Sequence, residues 1–184
     1  MRVLVACEFS GVVRDAFAAK GHDAWSCDLL PSEGDGLHIQ DDVLNRLTWT
    51  HWDLMIAHPP CTYLASSGAR WMRSRLDELE QAVEFVRQLM RAPIPRICIE
   101  NPIGVLSKAL RPPDQIIQPW QFGHGETKAT CLWLVGLQLL KPTNIVEGRK
   151  PRVHLEPPSP ERWKNRSRTY EGIAAAMAEQ WGTV

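Results

Sequence analysis

The chain has 184 residues, 44% of them hydrophobic, and its 21 Lys and Arg are balanced by 21 Asp and Glu. That is enough apolar material for one core without metal or disulfide staples, and it leaves no global charge with which to hold a polyanion. The five cysteines, at 7, 27, 61, 98 and 131, are odd in number and widely spaced, a pattern that suits a reducing cytoplasm and excludes a disulfide framework; neither a charged leader nor an apolar run of membrane-spanning length is found, so no secretion and no membrane span are predicted.

Residues 2–7, Arg-Val-Leu-Val-Ala-Cys, read as a buried strand, and residues 10–20 as a helix opened by a Ser10 cap and closed by Gly21. A second strand is predicted over residues 23–27, ending at Asp28, followed by a short one near 37–39 and a brief helix from Asp42. Residues 53–57 form the central apolar run, which stops at His58-Pro59-Pro60-Cys61. Between Arg70 and Arg91, Met72, Leu76, Leu79, Val83, Val86 and Met90 advance by fours and threes, the stripe of a long amphipathic helix. Residues 95–100 are the next strand, 115–120 a candidate edge strand, and 130–135 another apolar run. Residues 169–181 are an Ala-rich terminal helix. Strands alternating with helices predict an α/β fold: one domain, residues 1–184, around a doubly wound, mostly parallel sheet.

Local charge supplies what the net charge lacks. The proline-studded segment 141–168 carries Lys141, Arg149, Lys150, Arg152, Arg162, Lys164, Arg166 and Arg168 against Glu147, Glu156 and Glu161. Such a cluster reads either as a solvated surface or as a phosphate-contacting one. Among the tryptophans, Trp71 and Trp163 are flanked by arginines and are candidates for base stacking.

Chemistry is expected where buried parallel strands end, because open α/β sheets bind ligands there. The two prolines before Cys61 fix φ and remove backbone donors, so the thiol is delivered on a stiff loop. Glu100 closes a buried strand and is followed by Asn101-Pro102; a carboxyl in that position has a tunable pKa. The first strand-to-helix turn, Cys7-Glu8-Phe9-Ser10-Gly11, and Asp28 at the end of the second strand are placed to hold a nucleoside-like group, and Asp42 is a cap or a ligand contact. No G-x-G-x-x-G or phosphate-binding P-loop pattern is present. His58, His124 and His154 are too scattered for a metal site, and there is no Cys-x-x-Cys, so no metal is expected.

In these residues the chain resembles the S-adenosylmethionine-dependent DNA cytosine-C5 methyltransferases, most closely their short phage- and prophage-borne members. The resemblance rests on the opening strand–turn–helix, His58-Pro-Pro-Cys61 and, about forty residues on, Ile99-Glu-Asn-Pro-Ile103. It implies a Rossmann-like fold of the class I methyltransferase type, S-adenosylmethionine as cofactor and DNA as partner. It implies Cys61 as nucleophile and Glu100 as the group on the cytosine ring. The cofactor residues it implies are Cys7, Glu8, Phe9, Ser10, Gly11, Asp28, Asp42 and His58. Arg70 and Lys128 are expected to lower the pKa of Cys61, and with Arg149, Arg152 and Arg166 to contact nucleic acid. The chain departs from the family at the Gln-x-Arg-x-Arg segment, where residues 123–130 carry Lys128 as their one Lys or Arg, and in having no large target-recognition region. Two other readings keep the fold: an amino-methyltransferase or modifier of free pyrimidine nucleotides, and a catalytically degenerate nucleic-acid-binding module.

Overall fold

A computed structural model describes residues 1–66 and 75–183; the expectations at Arg70, Trp71 and Met72 lie outside the described residues. Among those residues no helix is long and apolar enough to cross a membrane.

The strands are β1 (Arg2–Ala6), β2 (Asp23–Asp28), β3 (His38–Gln40), β4 (Leu54–Ala57), β5 (Ile97–Pro102), β6 (Gln115–Ile117) and β7 (Thr130–Val135). The helices are α1 (Val12–Ala18), α2 (Leu76–Met90), α3 (Leu106–Ala109), α4 (Arg152–Leu155), α5 (Arg162–Ser167) and α6 (Glu171–Trp181), with short 3-10 turns at Val43–Asn45 and Pro119–Gln121. All strands join one sheet in the order β3-β2-β1-β4-β5-β7-β6. The pairings from β3 through β5 are parallel, and β7 runs antiparallel to both β5 and β6. The doubly wound, mostly parallel sheet is therefore as expected, with β6 at the edge.

Strands buried on both faces explain the unbroken apolar runs. Val3 and Val5 face one core, where α1 and α6 pack through Phe17, Ile173, Met177 and Trp181. Leu4 and Ala6 face the other, with Met55, Ile97, Trp133, Trp52 and the Val83, Val86 and Leu89 stripe of α2. The chain winds from β1 outward to β3, then returns to lay β4 on the other side of β1. That reversal makes the carboxyl ends of β1 and β4 the switch point of the sheet, the place where open α/β sheets bind ligands.

Two local outcomes differ from expectation. Ser10 does not cap α1: Gly11 holds the N-cap with φ 78°, in the left-handed region that glycine adopts without penalty. The capping is done by Glu8, whose carboxylate accepts the N–H groups of Val13 at 2.7 Å and Arg14 at 3.2 Å. Arg14 itself is fully buried, its Nη1 donating to Ser26 Oγ and Ser32 Oγ, each at 3.0 Å. The segment read as irregular contains the short helices α4 and α5. Asp42 caps the 3-10 turn after β3 as expected, accepting from Leu44 N–H at 3.0 Å.

Candidate active site

β4 and β5 are parallel neighbours, with Ala57 paired to Ile99, so the residues that follow them emerge side by side. His58 follows β4 and keeps the sheet register by donating its backbone N–H to Ala6 O at 2.9 Å. The two loops are then clasped by consecutive residues of β5. Glu100 Oε2 lies 3.0 Å from His58 Nδ1, and Asn101 Nδ2 donates to Pro59 O at 2.8 Å. Beyond Cys61, Leu64 and Ala65 donate their N–H groups to the Cys61 carbonyl at 3.0 and 2.9 Å, while Val105 N–H reaches Leu64 O at 2.9 Å. The approach at Leu64 is close enough that a Cβ on Gly104 would sit 1.9 Å from its carbonyl oxygen. The cysteine loop is thus stitched to the β5 exit along its length, and the Cys61 residue is left exposed to solvent.

The electrostatics follow from that packing. Burial alone would raise the Glu100 carboxyl, whose side chain is 14% exposed; the His58 hydrogen bond and charge, the Lys128 ammonium and the Thr130 hydroxyl outweigh it and hold Glu100 below its ordinary value. The Cys61 thiol moves the other way. Loss of hydration beside the protein wall and the Glu100 carboxylate raise it, and the positive charges of Lys128 and Arg166 only partly compensate. Lys128 therefore acts on Cys61 in the expected sense, but the expectation of a net lowering is corrected: loss of hydration, and after it the Glu100 carboxylate, outweigh the positive charges.

The residues expected at a cofactor gather at the ends of β1 and β2. Cys7 adopts φ 58°, a left-handed conformation uncommon outside glycine, and turns the chain sharply after β1. Burial and then the neighbouring Asp28, Cys27 and Asp42 groups raise its thiol strongly, which places those side chains around one point. Asp28 accepts the Leu30 N–H at 2.9 Å through Oδ1. Phe9 is buried, and Ser10 Oγ lies 3.4 Å from Glu8 Oε1. Glu8 is turned inward and its charge is spent on α1; burial, its largest influence, raises its pKa. A pair of carboxylates and a sharp turn at a sheet switch point suit a ligand with vicinal hydroxyls and an exocyclic amine, as in an adenosyl group. His58, expected among the cofactor contacts, has Nδ1 engaged by Glu100, while its buried Nε2 has no hydrogen-bond partner among the described residues.

The basic segment lies over this end of the sheet. Trp163 of α5 rests on Phe9 at 5.7 Å between ring centroids, and Arg168 pairs with Glu33 at 2.6 Å. Lys128 Nζ donates to Arg168 O at 3.1 Å. Arg152, Arg166 and Arg168 line a cavity of about 190 Å³ with Glu126, Asn165 and Tyr170. Tyr170 OH donates to Glu126 at 2.7 Å, and Arg152 pairs with the same carboxylate at 3.5 Å. Arg149 stands apart, its guanidinium 3.9 Å from the Trp120 ring centroid. Among the described residues no group of three or more His, Cys, Asp and Glu side chains is arranged to hold a metal. Thr130 and Glu33 carry no signal in the sequence, and Asn101 is marked there only as part of the Glu100-Asn101-Pro102 motif, without a role of its own.

No protein-family profile and no curated protein matches the sequence. Solved structures do. The S. pombe Dnmt2 methyltransferase superposes with a TM-score of 0.50 at 17% identity, over 84% of this chain and 53% of its own. A candidate DNA modification methyltransferase encoded within an E. coli prophage matches with a TM-score of 0.48 at 14% identity, over 80% of this chain and 52% of its own. The chain spans about half the length of these solved structures. Its fold is the Rossmann-like fold of methyltransferases; Cys7 to Gly11, Asp28, His58, Cys61 and Glu100 lie at the carboxyl ends of its parallel strands, whereas Arg149 stands apart and Arg70 lies outside the described residues.

Proposed function

We propose that this chain is a short member of the DNA cytosine-C5 methyltransferase family and moves a methyl group from S-adenosylmethionine to C5 of cytosine in DNA, acting in the cytoplasm of the cell that makes it. The observation that carries the reading is the clasp between β4 and β5, which brings a thiol and a carboxyl 39 positions apart in sequence to one sheet end. Residues 1–184 serve as one catalytic domain, with the basic segment 141–168 inserted before the terminal helix.

Cytosine C5 is a weak nucleophile, and addition of the Cys61 thiolate at C6 turns the C4–C5 unit into an enamine. Glu100 steadies the charge that this addition puts on the ring at N3. When bound, S-adenosylmethionine supplies an electrophilic methyl group; Asp28, Asp42 and the Cys7-to-Gly11 turn are the residues that would hold it. Loss of the C5 proton and cleavage of the carbon–sulfur bond then restore the aromatic ring and free Cys61. The cationic groups Lys128, Arg152 and Arg166 neutralise backbone phosphate, with Arg149 and Arg70 as the further cations the sequence offers for it, and a base from a duplex is extruded at a cost of a few kcal/mol.

Incubation with tritiated S-adenosylmethionine and DNA tests the reading. Wild type yields labelled 5-methylcytosine on nucleoside digestion and Cys61→Ala yields none. Label appearing as an N-methyl base, on free nucleotides only, or undiminished in the variant overturns it.

A further inference from the structure

Helix α5 is the part of the basic segment that charge alone explains least. It has six residues, no side-chain cap at its N-terminus and no buried residue, so neither helix propensity nor burial fixes it where it stands. Two of its fastenings land on the turn expected to hold the methyl donor. Trp163 rests on Phe9, inside the Cys7-to-Gly11 turn, with ring centroids 5.7 Å apart and ring planes at 55°. The Phe9 carbonyl accepts the Glu33 N–H at 2.9 Å, and the Glu33 carboxylate pairs with Arg168, one residue past α5, at 2.6 Å. The two ends of the helix therefore grip one turn, the first through its aromatic ring and the second through its backbone.

Trp163 and Arg166 are three positions apart, so they leave α5 on one face. Arg166 lines the cavity beside Tyr170, and the Lys128 ammonium lies 5.9 Å from the Tyr170 ring. Both cations are near enough for their charge to be felt at the Cys61 sulfur. One short helix thus reaches from the donor turn to the positive groups around the thiol. Its indole lies against Phe9 and is still 52% exposed, while Phe9 itself is 7% exposed. The surface left on that ring pair belongs to Trp163, and a flat heteroaromatic ring is what such a face stacks with.

We propose that Trp163 is a donor-site residue contributed by the basic segment: with Phe9 it forms the apolar wall that the adenosyl group of S-adenosylmethionine meets, while Arg166 on the same helix face holds an acceptor phosphate. The inference rests on the donor and acceptor assignments of the cytosine-C5 reading above and adds a residue to the donor side. It has a thermodynamic consequence. A ligand that stacks on Trp163 favours α5 in its place on Phe9, and by linkage it favours whatever Arg166 binds by the same factor.

The test uses the full chain and S-adenosylhomocysteine, which keeps the adenosyl group and has no methyl to transfer. By calorimetry, Trp163→Ala is predicted to weaken its binding about tenfold, and Trp163→Phe, which keeps an aromatic face, by less than about threefold. Binding by Trp163→Ala as tight as wild type, or tighter, overturns the wall, because the indole then stands outside the donor site or in its way. The link is read with a fluorescein-labelled single-stranded oligonucleotide containing cytosine. Saturating S-adenosylhomocysteine is predicted to tighten wild-type binding of this oligonucleotide about fivefold and to leave Trp163→Ala unchanged. An uncoupled wild type, or coupling that survives in Trp163→Ala, overturns the link through α5. Arg166→Gln is predicted to weaken oligonucleotide binding while S-adenosylhomocysteine alone binds within about twofold of wild type; an equal loss of both overturns the division between the two side chains. None of these readouts needs turnover. A wild type that passes them and yields no 5-methylcytosine overturns the cytosine reading and supports the wall, whereas a wild type that binds no S-adenosylhomocysteine overturns both.

Discussion

The clasp around Cys61 and the basic segment beside it are built on opposite principles. At the clasp, buried Asn101 and enclosed His58 and Glu100 tie strand ends together, and the backbone at Gly104 approaches Leu64 too closely for a Cβ. At the cover, residues 141–168 are mostly exposed; residues 141–150 are tied down by backbone hydrogen bonds such as Val146 N–H to Trp120 O at 3.0 Å and Lys150 N–H to Gly125 O at 3.1 Å, whereas residues 151–168 meet the body mainly through side chains, Trp163 on Phe9, Arg152 with Glu126, Arg168 with Glu33 and Lys128 on the Arg168 carbonyl. Buried hydrogen bonds are costly to leave unmade, whereas an exposed ion pair contributes about 0–1 kcal/mol. The difference teaches that His58, Cys61 and Glu100 are held by the sheet itself, while the cationic residues 151–168 are attached to it mainly through side chains.

That contrast is broken most readily at Gly104. Alanine there must push Leu64 O away from a 1.9 Å overlap, so Gly104→Ala is predicted to lower stability by about 1–3 kcal/mol in urea titration and to displace the Cys61 turn. Asn101→Ala leaves the buried Pro59 carbonyl without its donor and is predicted to cost about 1–3 kcal/mol, with methyl transfer falling more than stability because the thiol loop loosens. A change confined to stability in either variant would uncouple the clasp from the chemistry.

A pH experiment sharpens the comparison from the side of charge. Burial and Glu100 raise the Cys61 thiol, so its alkylation by iodoacetamide is predicted to be slow at pH 7 and to climb through and beyond the range of an ordinary thiol. Glu100→Gln removes a raising influence and is predicted to speed alkylation at pH 8, read by peptide mass spectrometry. Stability has its own sign: Glu100 is held below its ordinary value in the fold, so its contribution is complete above the unfolded carboxyl range and is lost as the solution is acidified through the depressed folded value. The smallest effect belongs to the cover. Trp163→Ala is predicted to change stability by less than about 1.5 kcal/mol while weakening DNA retention on a filter, since one aromatic contact is lost and the basic strip is freed from Phe9.

The same contrast decides what the sequence made legible. Parallel strands buried on both faces must be continuous apolar runs, so β1, β4 and β5 were readable, and so were the prolines that stop β4 and β5 beside Cys61 and Glu100. The Asp42 cap was readable because it follows a local rule. The capping of α1 by Glu8 was not legible because its partners, Val13 and Arg14, lie five and six positions on and the left-handed Gly11 bends the turn back toward it. Arg14 sits in a helix too short to expose a polar face, and its glycine-lined enclosure by residues 34 and 36 is a tertiary matter. The helices α4 and α5, of four and six residues, are too short to repeat the helical period and so leave no apolar stripe in the sequence. The link between His58 and Glu100 spans 42 positions and depends on the neighbouring order of β4 and β5, which no local pattern records.

The most direct measurement traps the covalent intermediate. An oligonucleotide carrying 5-fluorocytosine has no C5 proton to lose, so after methyl transfer the carbon–sulfur bond has no route to cleavage. Incubated with S-adenosylmethionine, the wild-type chain is predicted to gain the mass of the methylated oligonucleotide on the peptide containing Cys61. A chain that methylates cytosine while its trapped mass maps to another residue, or that forms no adduct at all, would contradict the account.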